Sequence, residues 1–288
     1  MNILVRKIYL VLIGLAGALL AWIPMESVII LQPRFSSYLL FTLTSGILFG
    51  MVMGAVFAMA DGVILSMPQK IKSGFFTGLL SGAAGGAAGL LAAQALLFPL
   101  GAFFSGMASF KNFGLPLTHA LGWGITGIFI AGSGGIQGRS LNKLRIGLIG
   151  GLLGGFSGGL LCEYAQIIFP AGPARLSGFM LFGACLGFFY SLAEKAFSFG
   201  VLVALSGKNR GREYLLTRGH TVISTSPGAD IPGGSGKYTE IKVVRGEPVI
   251  KTMAAGNLTV NEENVQEQKL RMGDVVKVGE DKFMYTWK

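Results

Sequence analysis

The chain has 288 residues, of which 51% are apolar and only 13% are charged, so its composition excludes a wholly soluble protein. Its 24 Lys and Arg residues outnumber its 14 Asp and Glu residues, which gives a net charge of +10. Residues 1–200 contain 11 of the basic and 4 of the acidic residues, and residues 201–288 contain the others. The sequence therefore predicts a membrane domain at 1–199 and a soluble domain at 200–288.

Six apolar stretches are each long enough to cross a hydrocarbon core, which takes about 20 helical residues. They lie near residues 8–31, 37–61, 74–100, 115–135, 146–170 and 176–199. Arg6 and Lys7 precede the first stretch, as in a signal peptide, but the stretch is long and no small-residue cleavage site closes it. We interpret all six as transmembrane helices of an all-α domain.

The positions of the basic residues predict the orientation of these helices, because Lys and Arg near segment ends favour the cytoplasmic side. With a cytoplasmic N-terminus, that side has Arg6, Lys7, Lys70, Lys72, Arg139, Lys143, Arg145 and Lys195, and the other side has Arg34, Lys111 and Arg175. We expect a plasma-membrane protein with both termini in the cytoplasm and a surface that attracts anionic membrane lipid. The basic residues form no patch with interleaved aromatics, so nucleic acid is not an expected partner.

A shift of 73 residues aligns the chain with itself, including Lys70 with Lys143 and Gly54 with Gly127. In lipid, helices associate by close van der Waals approach, so glycine at every fourth position predicts a packing stripe of the glycine-zipper type. The predicted stripes are Gly74, Gly78, Gly82 and Gly86, and their copies Gly147, Gly151, Gly155 and Gly159. We interpret helices 1–2, 3–4 and 5–6 as three parallel hairpin repeats.

Three carboxylates inside predicted spans, those of Asp61, Glu163 and Glu194, are candidates for chemistry. A carboxylate inside a membrane segment is a functional hypothesis by default. Asp61 and Glu194 occupy equivalent repeat positions at predicted cytoplasmic helix ends, where Lys70 or Lys195 could pair with them. Structural ion pairs and a role in transport both stay open on the sequence alone.

No other motif predicts chemistry. The stretch "GWGITG" (122–127) matches a dinucleotide fingerprint but lies inside an apolar span, and "PGGSGK" (232–237) lacks the first glycine and the final hydroxyl of a phosphate loop. Cys162 and Cys185 have neither disulfide nor metal spacing. With no set of nucleophile, base and orienting group, we expect no enzyme activity, no catalytic residues, no cofactor and no metal.

Residues 200–288 consist of short β-branched runs separated by turn signals, which predicts an all-β sandwich or barrel. Four stretches are more specific: "ISTSPGADI" (223–231), "SGKYTEI" (235–241), "TVNEENV" (259–265) and "LRMGDVVKVGEDKFMYT" (270–286). On these stretches, residues 201–288 resemble a forkhead-associated (FHA) domain. That family is an eleven-stranded β-sandwich whose loops at one end bind phosphothreonine peptides, so the resemblance implies a protein-recognition module.

The sequence departs from the family at the phosphate-binding positions. Thr225 stands where the family has the arginine that grips phosphate, Ser224 replaces the preceding glycine, and Tyr238 replaces a structural histidine. Losing a charge-assisted donor costs about 1.5–3 kcal/mol, so we expect a degenerate site that binds protein without phosphate. Arg210 or Arg212 could substitute only if the loops fold back. The peptide-binding positions that the resemblance implies are Thr225, Ser226, Ser235, Tyr238, Asn257 and Asn261.

Two functions follow from these features. The first is a multi-pass membrane scaffold whose cytoplasmic FHA-like module recruits a cytoplasmic or membrane protein, or a second copy of the chain in a homo-oligomer. The alternative is a transporter or channel that the FHA-like domain regulates.

Overall fold

A computed structural model of the chain describes residues 3–104, 110–207, 209–226, 229–233, 239–252 and 258–287. Among these residues, six helices are long and apolar enough to cross a membrane, and a β-sandwich of two sheets follows them. The predicted order of a six-helix membrane domain and an all-β domain is confirmed.

The second span is broken at Met59, so the described helical part has seven α-helices and two short irregular turns. Ser37 begins α2 by accepting a hydrogen bond from the backbone N–H of Leu40. The turns are a 3-10 turn at Gln32–Arg34 and a π-turn at Phe110–Gly114. The helices are α1 (Ile3–Ile30), α2 (Tyr38–Ala58), α3 (Ala60–Leu65), α4 (Pro68–Phe104), α5 (Leu115–Gln137), α6 (Leu141–Ile168) and α7 (Ala171–Phe197).

Eleven described strands form the sandwich. One sheet has the order β2-β1-β11-β10-β7-β8, and the other has the order β4-β3-β5-β6-β9. The strands are β1 (Val201–Ala204), β2 (Glu213–Leu215), β3 (His220–Ser224), β4 (Ile231–Pro232), β5 (Thr239–Val244), β6 (Glu247–Thr252), β7 (Leu258–Val260), β8 (Glu263–Asn264), β9 (Glu267–Lys269), β10 (Val275–Val278) and β11 (Asp281–Thr286).

Two compact units make up the chain. The first comprises Met1–Arg6, Ser140–Lys143 and Glu194–Lys288, and the second comprises Lys7–Arg139 and Leu144–Ala193. The predicted boundary lay between residues 199 and 200, whereas the division by compactness places three short helix ends in the same unit as the sandwich. Those ends belong to α1, α6 and α7.

Close backbone contact joins α2 to α4 in the second unit. A Cβ atom added to Gly78 would meet the carbonyl oxygen of Gly54, and one added to Gly82 would meet that of Gly50. The stripe continues at both ends, where Gly74 contacts Ala58 and Gly86 contacts Gly46. Helices in lipid gain little from burying leucine, so glycine at these positions permits the approach that holds them together.

The same kind of contact occurs between α5 and α6. Gly151 lies against Gly127, Gly147 lies against Ala131, and both Gly155 and Gly159 lie against Trp123. Three of these pairs, those of Gly151, Gly147 and Gly155, occupy the positions of α2–α4 pairs displaced by 73 residues. The threefold repeat as a whole stays a prediction.

Neighbouring spans close the second unit into a ring whose centre is filled with aromatic side chains. Gly14 of α1 contacts Gly183 of α7, which closes the ring between the first and the last span. At the centre, the ring of Phe49 lies 5.0 Å from Trp123, 4.9 Å from Phe179 and 5.5 Å from Phe182, measured between centroids. Phe49 and Phe182 are fully buried. The described helices therefore pack around a solid aromatic layer.

In the first unit, the residues after α7 are part of the sandwich. The Phe199 N–H donates to the carbonyl oxygen of Leu216, and the Tyr285 hydroxyl donates to that of Phe199. Gly200 has φ +138°, and a Cβ atom there would enter the ring of Tyr285. Only glycine fits this conformation and this close approach, so the chain passes from α7 into β1 within three residues.

Candidate functional site

The strand register gives the sandwich two distinct ends. The loop end is the end at which β3 and β6 finish and at which β5, β7 and β11 begin. The join end is the opposite end, where β1 starts directly after α7. At the loop end, Ile223 of β3 pairs with both Thr239 and Ile231, and Thr239 pairs with Thr252. The connections after β3, β4 and β6 all start at this end.

Thr225 and Ser226 lie at the loop end, directly after β3. Thr225 is exposed and Ser226 is partly exposed. The hydroxyl of Ser224, which stands where the family has a glycine, accepts a hydrogen bond of 3.1 Å from the N–H of Ser226. Ser224 is therefore a turn-stabilising residue, and Thr225, the predicted counterpart of the family's arginine, is exposed.

Three other predicted positions, Ser235, Tyr238 and Asn257, lie outside the described residues. The described residues beside them are at the loop end, where the Gly233 N–H donates to the carbonyl oxygen of Ser224. Thr239 is fully buried.

The β1–β2 connection also reaches the loop end. The side chain of Asn209 donates a 3.1 Å hydrogen bond to the carbonyl oxygen of Pro232, and the Ser206 hydroxyl accepts one of 2.7 Å from the Lys282 N–H. Arg210 and Arg212, in the same connection, are exposed. The structure thus places the connection that contains both arginines beside β4 through Asn209.

Asn261 lies at the join end and is not brought together with Thr225 and Ser226. It occupies the β7–β8 turn with φ +52°. Its side chain donates to Asp274 at 2.9 Å and accepts from the Val275 N–H at 2.9 Å. Both functions of the amide are therefore used to hold two turns together, and Asn261 has a structural role.

We expect Asn261→Ala to destabilise the sandwich by about 1–3 kcal/mol, because the change removes two hydrogen bonds and leaves the Asp274 carboxylate with one donor fewer. It also puts alanine at a positive φ. Denaturant unfolding of the purified chain measures the loss. Thr225→Ala is the control and should change the unfolding free energy by less than about 0.5 kcal/mol; equal losses would contradict the assignment.

Two of the three carboxylates predicted inside the spans have close basic partners, and the third lines a cavity. The Arg6 guanidinium donates two hydrogen bonds to the Glu194 carboxylate, at 2.7 and 2.8 Å. The sequence suggested Lys195 as the partner of this carboxylate. Glu163 lies 3.0 Å from His119. Asp61 lines a small cavity that also includes Ser133, Tyr190, Leu10, Phe57, Ala58, Ala60, Ala131 and Gly134.

A further ion pair was not anticipated from the sequence. Arg175 donates to both carboxylate oxygens of Glu26, at 2.7 and 2.8 Å. The two residues are 149 positions apart, as Arg6 and Glu194 are 188 apart. One sequence has no local signal for such pairs, because they depend on which helices become neighbours.

On the second sheet, the Glu240 carboxylate has two close partners, a lysine and a histidine. The Lys242 ammonium lies 2.7 Å away and His220 lies 2.8 Å away. The hydrogen bond from Lys242, followed by that from His220, lowers the pKa of the Glu240 carboxyl below its usual value. Within the described residues, no group of three His, Cys, Asp or Glu side chains could hold a metal ion.

Several solved FHA structures are similar to parts of this chain. A domain from work on phosphothreonine-dependent FHA interactions is 25% identical over 31% of this chain and 95% of its own, with a TM-score of 0.27. The FhaA FHA domain, solved with the intracellular domain of Rv3910, is 26% identical over 30% of this chain and 97% of its own, with a TM-score of 0.26. Mycobacterium tuberculosis EmbR with a low-affinity phosphopeptide is 13% identical over 82% of this chain and 71% of its own, with a TM-score of 0.27.

Neither a protein-family model nor a curated protein sequence matches the chain. The FHA-like character of residues 201–288 is carried by the four sequence stretches and by the strand arrangement. Eleven described strands form two sheets, and the connections after β3, β4 and β6 start at one end.

Proposed function

We propose that the protein is a membrane scaffold whose FHA-like module binds a protein partner through the loop end, without requiring phosphate. The observation that carries the proposal is the exposed, uncharged Thr225 directly after β3, at the position where the resemblance places the family's phosphate-gripping arginine. The sandwich core is otherwise intact, with Ile223, Ile241 and Phe283 fully buried. A preserved fold with an altered contact residue favours binding of an unphosphorylated segment.

Photo-crosslinking tests the site. We would replace Thr225 with a photo-crosslinking amino acid in the full chain, irradiate native membranes, and identify the products. The matched control places the same group at Glu263, which is exposed at the join end. We expect a protein product at position 225 that phosphatase treatment leaves unchanged. Equal products at both positions would contradict the site, and loss after phosphatase would contradict phosphate independence.

Introducing an arginine at position 225 gives a second test. We expect Thr225→Arg to raise affinity for a phosphothreonine peptide about tenfold or more, because a charge-assisted hydrogen bond contributes about 1.5–3 kcal/mol. Titration of a labelled peptide against the purified full chain measures the change, with the unphosphorylated peptide as the reference. Tight binding of the phosphopeptide by the unaltered chain would contradict the proposal.

Two features favour a scaffold over the alternative of a transporter or channel. The aromatic layer of Phe49, Trp123, Phe179 and Phe182 occupies the centre of the described helices. The carboxylates of Glu26 and Glu194 are held by Arg175 and Arg6. These paired carboxylates and the filled centre favour a packing role for the helices that carry them. We propose no enzyme activity.

A further inference from the structure

Two large apolar side chains are exposed together at the join end of the sandwich. Trp287 is 63% exposed and Met272 is 65% exposed. Most aromatic side chains of the sandwich lie in its core, as Phe283 and Tyr285 do. Exposed apolar side chains that lie side by side can form a contact surface.

The strand register makes these two residues neighbours. Val275 pairs with Met284 across β10 and β11, and the Gly273 N–H donates to the carbonyl oxygen of Tyr285 at 2.9 Å. Continuing this register places Met272 opposite Trp287. The surface therefore extends over two adjacent chain segments at the join end.

On its other side, Trp287 lies beside the end of α7. Val201 pairs with Thr286, so the register places Gly200 opposite Trp287. Gly200 follows Phe197, the last residue of the apolar helix α7, by three positions. Three extended residues span at most about 11 Å, so the start of the sandwich lies within about 11 Å of the end of α7.

The charges around the surface suit a phospholipid. Arg271 is exposed directly before Met272, and a guanidinium can bind a phosphate group with two parallel hydrogen bonds. Tryptophan favours the membrane–water interface, because its ring is apolar and its indole N–H is polar. Among the acidic residues of this end, Asp274 is buried and accepts hydrogen bonds from the Arg271 N–H and from Asn261. Glu247, on the other sheet, pairs with Lys269. Glu262 and Glu263 lie two strands away, beyond β10 and β7.

We propose that Trp287, Met272 and Arg271 form a lipid-contacting surface. Trp287 and Met272 enter the interfacial region of the bilayer that α7 crosses, and Arg271 binds the phosphate of a lipid headgroup. This surface is separate from the loop end at which we place the protein partner. The sandwich would then contact lipid at one end and protein at the other.

Tryptophan fluorescence of the full chain in nanodiscs tests the proposal. The discs contain phosphatidylcholine and phosphatidylglycerol, with bromine on the acyl chains close to the headgroup. The chain also contains Trp22 and Trp123. The Trp287 signal is therefore the difference in emission between the unaltered chain and Trp287→Phe. We expect brominated lipid to remove most of the Trp287 signal and acrylamide to remove little of it.

The control places a tryptophan at the loop end, as Leu205→Trp in the Trp287→Phe background. Leu205 is 37% exposed, and its indole should be quenched by acrylamide and not by brominated lipid. A Trp287 signal that behaves like this control overturns the proposal. Protection from acrylamide without quenching by brominated lipid also overturns it, because it would indicate contact between copies of the chain.

A second experiment varies the content of anionic lipid in the discs. We expect Trp287 quenching to be stronger in discs with phosphatidylglycerol than in discs of phosphatidylcholine alone. In Arg271→Gln this difference should disappear while the protein stays folded, as thermal unfolding can verify. An unchanged difference in the variant would remove Arg271 from the surface.

Discussion

Gly82→Leu is expected to prevent stable packing of the membrane domain. A Cβ atom at residue 82 would overlap the carbonyl group of Gly50 and approach the Cα of Gly54 to 3.0 Å. Both neighbours are backbone atoms, which cannot move aside by changing rotamer. Overpacking costs about 1–3 kcal/mol in cores that can adjust, and we expect a larger loss here because α2 and α4 would have to separate.

Thermal or denaturant unfolding of the purified chain in mild detergent measures this loss. Gly172→Leu is the matched control, because a Cβ atom there has no heavy atom within 4 Å. The control should retain the unfolding midpoint of the original chain. Equal midpoints for the two variants would contradict a packing role for Gly82.

The prediction of helix-packing glycines rests on a local rule of helix geometry. Every fourth residue of a helix lies on one face, so Gly74, Gly78 and Gly82 had to form a stripe. The sequence did not identify the facing helix. Partners such as Gly54 depend on how the spans are arranged, and that arrangement is a long-range property.

The sandwich shows the same division between local and long-range information. Turn residues and alternating apolar runs predicted a β-sandwich after residue 200, and the described residues form one. The position of Asn261 could not be predicted in this way, because the sequence stretch around it matches the family while the strand register places it at the join end. The partner of Glu194 could not be predicted from local sequence either, because Arg6 is 188 residues away.

Removal of the Glu194 carboxylate should strongly lower the free energy of unfolding. Its side chain is 2% exposed and receives two hydrogen bonds from Arg6. Lys143, also buried, is close enough to interact electrostatically with the same carboxylate. Removing one member of a buried ion pair costs about 3–5 kcal/mol, because the remaining charge stays in a low-dielectric site.

We therefore expect Glu194→Gln to destabilise the first unit by at least about 3 kcal/mol. Arg6→Gln should cost less, because Lys143 still compensates the carboxylate. The unfolding free energy of the full chain in detergent gives both values. Glu267→Gln is the control: Glu267 pairs with Lys251 on the surface, 2.9 Å away, and such exposed pairs contribute about 0–1 kcal/mol.

Comparing the destabilisation by Glu194→Gln with that by Arg6→Gln distinguishes a charge effect from a simple loss of contacts. Arg6 is the longer side chain, so a loss of packing alone would make Arg6→Gln the more damaging change. Compensation of two cations by one carboxylate predicts the reverse order. If Arg6→Gln costs as much as Glu194→Gln, Lys143 does not stabilise the carboxylate, and the bidentate Arg6–Glu194 pair alone links the helix ends of α1 and α7 in the first unit.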